Sequence, residues 1–352
     1  MMQWIENVVR PEILTLVPYS SARSEYSGEG NCDIQLDANE NPWKPQGQTI
    51  SINRYPEPQP TQLKQKIAAL YSLNPEQLII TRGADEGIDL LIRTFCRPGK
   101  DAVIATPPTF GSYTVYANIH STKVISVPLN EQDFSLNLPS MMSLPDVKIV
   151  FVCTPNNPTG STTPLDQIEV LCKHYKERAI VVVDEAYIDF ADTPSALTLL
   201  PKYDNLIVLR TFSKSYSLAG ARIGTIIGKA DVVSWIRKVI APYPIPTFCS
   251  NAALDVLMPA NLTEVNKRVA ILKAERAYLY QALQASKELV KVWPSATNFL
   301  LVIAKDADGL YQRLQTKHII VRNWNQVITG GLRITVGSPQ DNKQLLAALD
   351  LL

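Results

Sequence analysis

Charge of one sign is what this 352-residue chain lacks most plainly: 34 lysines and arginines face 33 aspartates and glutamates, for a formal net charge of +1. Such a balance supplies no basic face for a nucleic-acid backbone and no acidic tail. Cysteine is sparse and scattered. Cys32, Cys96, Cys153, Cys172 and Cys249 form no Cys-x-x-Cys pair, and this odd, dispersed set reads as reduced buried thiols, which favours the cytoplasm. His120, His174 and His318 lie far apart, none with a second ligand at metal spacing, so no metal is expected. No apolar run approaches a bilayer span, so no membrane association is expected. The opening Met-Met-Gln-Trp-Ile-Glu lacks the basic stretch and apolar core of a secretory signal. With hydrophobic residues at 46%, the chain has enough material for one large unit and a smaller one, each with its own core.

What is present is a rhythm of short apolar runs and helical periods. Residues 1–35 are polar and interrupted at Val9-Arg-Pro11 and Val17-Pro-Tyr19, which predicts an irregular arm without helix, packing with the smaller C-terminal unit. Leu36-Asp-Ala-Asn-Glu-Asn-Pro42 and Asn53-Arg-Tyr-Pro56 follow as loops. Apolar runs at 78–81, 102–105, 123–127, 148–153, 179–183, 205–210 and 222–228 read as strands. Between them Ile88, Leu91, Ile92 and Phe95 keep helical spacing up to Pro98-Gly99, and residues 165–175 form a second amphipathic helix. This alternation predicts an α/β fold with a large, doubly wound, mainly parallel sheet over residues 36–242. Prolines in Ala241-Pro-Tyr-Pro-Ile-Pro246 mark a boundary. Residues 243–352 then read as a smaller α+β unit: helix-rich to about 287, with strands at 299–303 and 332–336, an edge at 318–322 and a closing helix.

The chemistry concentrates in Thr211-Phe-Ser-Lys-Ser-Tyr-Ser-Leu-Ala-Gly-Ala-Arg-Ile-Gly224. Lys214 leaves the 205–210 strand in the loop where open α/β sheets bind ligands. A partly desolvated lysine there loses some preference for the ammonium form, and its free amine condenses with a carbonyl. Ser213 and Arg222 add a hydroxyl and a guanidinium fork, the usual partners of a phosphate. Carbonyl capture beside a phosphate clamp points to an aldehyde cofactor carrying a phosphate, pyridoxal 5′-phosphate. Taken alone, the stretch also reads as a solvated loop lysine with a surface ion-pair arginine.

Other strand ends carry the groups such a cofactor needs. Gly83 turns the chain into a helix start, where the amides at Ala84, Asp85 and Glu86 converge as a phosphate seat. Asp184, after Val181-Val-Val183, is the carboxylate that keeps the ring nitrogen protonated and the ring electron-poor; its other reading is a helix cap or surface acid. Tyr187 and Asn157 are the candidate donors for the ring oxygen. Phe110 reads both as a ring stacked on the cofactor and as a core residue opening a helix.

Asn156-Asn-Pro-Thr-Gly160, Asp184-Glu-Ala-Tyr187 and Ser213-Lys-x₇-Arg222 together resemble the fold-type-I pyridoxal-phosphate aminotransferases. Further matches at 36–42, 54–56, 81–93, 240–244, 320–322 and 331–337 resemble the histidinol-phosphate aminotransferase family, in order and over nearly the whole chain. The resemblance implies covalent attachment of the cofactor at Lys214 and a pyridine-nitrogen partner at Asp184. It implies that Asn157 and Tyr187 face the ring oxygen, and that Ala84, Asp85, Ser213 and Arg222 hold the phosphate. By the same resemblance, Tyr55 reaches the phosphate of the other subunit's cofactor in a homodimer. Arg333, with Arg322, Tyr19 and Asn39, is implied to hold the substrate's anionic end. The implied reaction moves an amino group between L-histidinol phosphate and 2-oxoglutarate, giving imidazole acetol phosphate and L-glutamate by a ping-pong scheme. Many relatives carry tyrosine where Phe110 stands, so stacking is kept and a hydroxyl lost. Aromatic-amino-acid aminotransferases and threonine-phosphate decarboxylases on the same scaffold are the alternatives. A cofactor-binding regulator without turnover is disfavoured, since no DNA-binding helix-turn-helix or basic extension is visible.

Overall fold

The computed structural model describes residues 3–20, 34, 36–47, 49–144 and 146–351. Cys32 and most of the expected N-terminal arm beyond Ser20 lie outside them. Seven strands build the first sheet: β1 (Leu78–Thr81), β2 (Ala102–Ala105), β3 (Lys123–Ser126), β4 (Ile149–Cys153), β5 (Ile180–Asp184), β6 (Leu206–Thr211) and β7 (Gly224–Ile227). Their order is β1-β7-β6-β5-β4-β2-β3. Strands β2 to β6 pair in parallel, whereas β7 runs antiparallel to both its neighbours, β1 and β6.

Side-chain alternation along the central strands fills a core on each face. Val150, Val152, Val181, Val183, Leu206 and Val208 point to one side, where the helices Thr61–Leu70 and Leu165–His174 bury Leu63, Ile67, Ile168 and Leu171. Ile149, Phe151, Ile180, Val182, Ile207 and Leu209 point to the other, against the helices Gly83–Phe95, Ser112–Ile119 and Ala230–Arg237. Ile88, Leu91, Ile92 and Phe95, the periodic set of the sequence, are all fully buried there. The doubly wound, mainly parallel sheet is therefore present.

A second, antiparallel sheet has the order β10-β11-β9-β8, with β8 (Leu289–Val292), β9 (Phe299–Ala304), β10 (Arg322–Asn323) and β11 (Gly331–Thr335). Leu300, Val302, Leu332 and Ile334 share its core with Leu279 and Leu283 of the long helix Pro259–Gln284 and with Leu310, Leu314, Leu345 and Leu346. The expected edge at 318–322 shrinks to β10. His318 takes a left-handed φ of +60° after the helix Ala307–Thr316, and only Arg322 and Asn323 find partners on β11.

The N-terminal expectation is corrected in two ways. Residues 3–14 contain two short helices, Gln3–Val8 and Pro11–Leu14, because Pro11 stands at a helix start, where its missing N–H costs nothing. They pack on the first sheet and not on the C-terminal unit: Ile5, Val8, Val9 and Ile13 join the core beneath Gly83–Phe95. Arg10 Nη1 donates to the carbonyl of Arg93 at 3.1 Å. Four apolar side chains are buried more completely there than any exposed arm would allow.

Candidate active site

The carboxyl ends of β1, β2, β4, β5 and β6 open on one edge of the first sheet. Because β7 runs the other way, its beginning lies at that same edge, and Arg222 enters the crevice from there. Two glycines let the segments close in. A Cβ at Gly224 would stand 2.4 Å from the carbonyl carbon of Gly83 and 2.6 Å from the nitrogen of Ala84. Gly83 itself has φ +76°, and a Cβ on it would meet Arg222 Nη2 at 2.6 Å. Only a glycine pair places this guanidinium against the first turn of a helix.

A cavity of 130 Å³ results, lined by Ala84, Asp85, Phe110, Cys153, Asn157, Asp184, Ala186, Tyr187, Thr211, Ser213, Lys214, Ala219 and Arg222. Nine of the residues expected from the sequence thus share one space. Arg222 Nη1 donates to Ser213 Oγ at 3.3 Å and to the carbonyl of Ala219 at 3.1 Å, while Nη2 meets Asp85 Oδ2 at 3.3 Å. Glu86 is the exception among the helix-start residues. Its carboxylate turns back to Arg82, accepting the backbone N–H at 2.7 Å and Nε–H at 2.9 Å, and it does not line the cavity.

Asp184 is 2% exposed at the end of β5. Tyr113 donates its hydroxyl to Oδ2 at 2.7 Å, and the amide of Ala186 donates to Oδ1 at 3.1 Å. Burial dominates over these bonds and pushes the carboxyl up to about 6. Lys214 keeps access to solvent through the cavity, yet the protein around it holds its ammonium below the usual lysine range, first by desolvation and then by the charge of Arg333. Its Nζ lies 5.6 Å from the centre of the Tyr187 ring, whose hydroxyl burial pushes upward. That ring packs edge-on against Phe299 of β9, centroids 5.2 Å apart.

The two adjacent amides separate in role. Asn156 ties its turn to the neighbouring loop, donating to the carbonyl of Pro108 and accepting from Thr109. Asn157 faces the cavity, and its Oδ1 accepts Nη1 of Arg333 at 2.5 Å. An arginine only donates, so this bond turns the amide's N–H groups to the remaining side. Arg333 lies over the Phe299 ring at 5.1 Å, and its Nε is buried without a partner among the described residues. Burial, together with the charge of Arg322, lowers its pKa. Arg322 is its direct cross-strand neighbour, on β10, and lines an adjoining cavity of 670 Å³ that shares Phe110.

Of the expected residues, Glu86 and Arg333 line neither space, Arg333 reaching the first through Asn157, and three more lie elsewhere. Tyr19 lines a separate cavity with Lys64 and Arg237, and Asn39 and Tyr55 line another with Thr247 and Phe248. Tyr55 is half exposed and stacks on Tyr243, centroids 4.6 Å apart. Conversely, Tyr113, Cys153 and Thr211 were not foreseen. Tyr113 stands three residues beyond Phe110, and nothing in the sequence pairs it with Asp184, 71 positions away.

The model of the family described as aminotransferase class I and II matches residues 23–349. A protein of Xylella fastidiosa (strain 9a5c) named histidinol-phosphate aminotransferase is 44% identical over 352 residues, covering 97% of this chain and 95% of that protein. One of the same name from Xanthomonas axonopodis pv. citri (strain 306) is 42% identical, covering 98% and 96%. The solved histidinol-phosphate aminotransferase of Sinorhizobium meliloti, in complex with pyridoxal-5′-phosphate, superposes with a TM-score of 0.77 at 24% identity, over 85% of this chain and 82% of that one. A match running almost from end to end, onto a chain that gathers Lys214, the buried acid Asp184 and Arg222 in a single crevice, places this protein in the class I and II aminotransferases, enzymes that work with pyridoxal 5′-phosphate.

Proposed function

We propose that this chain moves an amino group between L-histidinol phosphate and 2-oxoglutarate, giving imidazole acetol phosphate and L-glutamate, a step of histidine biosynthesis. The convergence of Lys214, Asp184, Asn157, Tyr187, Ser213 and Arg222 on one cavity carries the reading. Full-length relatives of that name at 42% and 44% identity support the substrate.

Pyridoxal 5′-phosphate fits these residues. Gly83 leaves between the helix start and Arg222 a cradle that any Cβ would fill. Asp184 is a buried carboxylate without a cationic partner in its hydrogen bonds, the partner a pyridinium would be. Ala84, Asp85, Ser213 and Arg222 would hold the phosphate, Asp184 the ring nitrogen, Asn157 and Tyr187 the ring oxygen, and Phe110 a ring face. When bound, the cofactor supplies an electron sink for negative charge at the substrate's α-carbon. Lys214 serves as its point of attachment and, once free, as the general base: Nζ takes the proton from that carbon, a role suited to an amine whose pKa the surrounding protein lowers, first by desolvation. Tyr113 and Ala186 hold Asp184 in place. Arg333, beside Arg322, offers two guanidinium forks to whichever anion the substrate brings, phosphate in one half-reaction and carboxylate in the other.

The active form in this reading is a homodimer in the cytoplasm. Tyr55 is half exposed on a different cavity from Lys214, which suits a residue serving the other subunit's phosphate, and Tyr19 and Asn39 belong to the same proposal. The free thiols Cys96, Cys153, Cys172 and Cys249 suit a reducing compartment. Purified protein, reconstituted with the cofactor, should give kcat/KM for histidinol phosphate well above that for phenylalanine or threonine phosphate. Carbon dioxide released from threonine phosphate without any keto acid, or a preference for phenylalanine, would refute the substrate assignment. A monomer with full activity would refute the role of Tyr55.

A further inference from the structure

The loops that carry Asp184, Tyr187 and Lys214 are tied together a second time, by residues none of which lines the cavity. Glu185 follows Asp184 and is almost wholly buried. Its carboxylate accepts Nη1 of Arg210 at 3.0 Å, the hydroxyl of Ser195 at 2.6 Å and the amide of Ala196 at 2.6 Å. Arg210, buried near the end of β6, sends Nη2 to Asp189 Oδ1 at 2.5 Å and lays its guanidinium 4.8 Å from the centre of the Tyr71 ring. The other oxygen of Asp189 accepts the hydroxyl of Ser215, the residue next to Lys214. Every link thus sits within two residues of a group in the cavity, or on the strand leading to one.

Burying the Glu185 carboxylate and the Arg210 guanidinium, with Asp189 a quarter exposed beside them, is a poor route to stability, since apolar side chains of equal volume hold a fold as well or better. What such a cluster adds is direction: the planar fork fixes two carboxylates at defined angles, and each carboxylate fixes its own loop. We propose that Glu185, Arg210, Asp189 and Ser215 are positioning residues for the reaction, and that the Asp189–Ser215 bond sets the place of Lys214 relative to Tyr187 and Asp184. This rests on the aminotransferase reading above.

The test uses the full chain loaded with pyridoxal phosphate. Ser215→Ala removes the last link alone, Ser215→Thr restores a hydroxyl, and Asp189→Asn keeps the shape while removing the charge. Without substrate, the pH titration of the visible absorbance band reports on the attachment of Lys214 to the cofactor. With substrate, kcat and KM are read separately. Ser215→Ala should lower kcat about tenfold with KM within about twofold, because misplacing a reacting group by a fraction of an ångström has this size of effect. It should also move the titration midpoint by about half a pH unit or more, and Ser215→Thr should recover both. Asp189→Asn should act in the same direction; if it does not fold, the Ser215 pair decides. A Ser215→Ala protein with kcat and midpoint of the wild type overturns the proposal. So does a fall in kcat with the midpoint unmoved, or one that Ser215→Thr does not repair. A wild-type chain that takes up no cofactor is a different failure, visible before any variant is compared, and it removes the reading underneath.

Discussion

Gly224 opens β7 between Thr81 of β1 and Thr211 of β6, with the Gly83–Ala84 peptide directly above it. Gly224→Ala would put a methyl 2.4 Å from the Gly83 carbonyl carbon, where ordinary contact begins near 3.4 Å, so a backbone segment must retreat by about 1 Å. Neither flexible side chain nor loop end is available to absorb this, because the atoms met belong to main chain on both sides. Overpacking of that kind costs about 1–3 kcal/mol, which lowers Tm by a few degrees in a chain of this length. The larger effect falls on the cofactor. The retreating peptide carries the Ala84 amide, and Arg222 is packed against Gly83, so the proposed phosphate seat loses at least one bond. A hydrogen bond to a charged group is worth about 1.5–3 kcal/mol, which raises the Kd for pyridoxal phosphate by about 10- to 100-fold. Titration of cofactor-free protein, followed by absorbance, measures this, with thermal melts beside it. Gly220→Ala is the control, since a Cβ there meets nothing within 4 Å and both Kd and Tm should stay put. If Gly224→Ala binds the cofactor within about threefold of wild type, the phosphate is not seated at this turn.

Lys214→Ala should abolish turnover and the visible absorbance of covalently held cofactor together; turnover surviving in that variant would remove Lys214 from the mechanism. Arg333→Lys should raise KM for both histidinol phosphate and 2-oxoglutarate by about 10-fold or more, since an ammonium makes no planar double contact; an unchanged KM in either half-reaction would place that anion elsewhere. Asp184 carries a stability signature in the cofactor-free protein. Its folded carboxyl titrates near 6, above the unfolded value of about 4, so between those pH values the native state binds the extra proton and stability falls as pH rises. The loss amounts to about 3 kcal/mol once pH exceeds 6. Asp184→Asn should flatten that stretch of the curve relative to wild type; parallel curves for the two proteins between pH 4 and pH 7 would show that the carboxyl is solvated.

The site was legible where its residues follow a strand directly in sequence. Lys214 after β6, Asp184 at the tip of β5, Asn157 after β4 and the glycine turn after β1 each carry a local signal, an apolar run stopped by a polar group. The parallel sheet then brings the ends together whatever the strand order. Contacts that depend on the order itself were not legible. Tyr113 meets Asp184 because β2 and β5 flank β4, and no spacing in the chain records this. The same holds for Arg210 and Asp189, which a reader of the sequence would leave as a strand residue and a surface acid. Pro11 misled in the opposite sense: it was taken to break a helix, and it begins one. Tyr19, Asn39 and Tyr55 came from resemblance alone, and within one chain they stay apart from the crevice.

The sheet's single reversed strand explains more of the site than its length suggests. If β7 ran parallel, Arg222 would end at the opposite edge, about four residues or 13 Å away, at roughly 3.3 Å per residue. Antiparallel entry returns the chain to the edge it has just left, so the loop 212–223 both starts and finishes at the crevice. Lys214 sits near one end of that loop and Arg222 near the other, which sets an amine and a guanidinium at a fixed interval without a bond between them. Their charges oppose each other: desolvation first, then repulsion from Arg333 and Arg222, holds the Lys214 ammonium down, and that repulsion makes room for an anion. A ligand with a phosphate at one end and an aldehyde at the other answers both demands at once, and the guanidinium pair of Arg322 and Arg333 on β10 and β11 faces whatever anion the substrate carries.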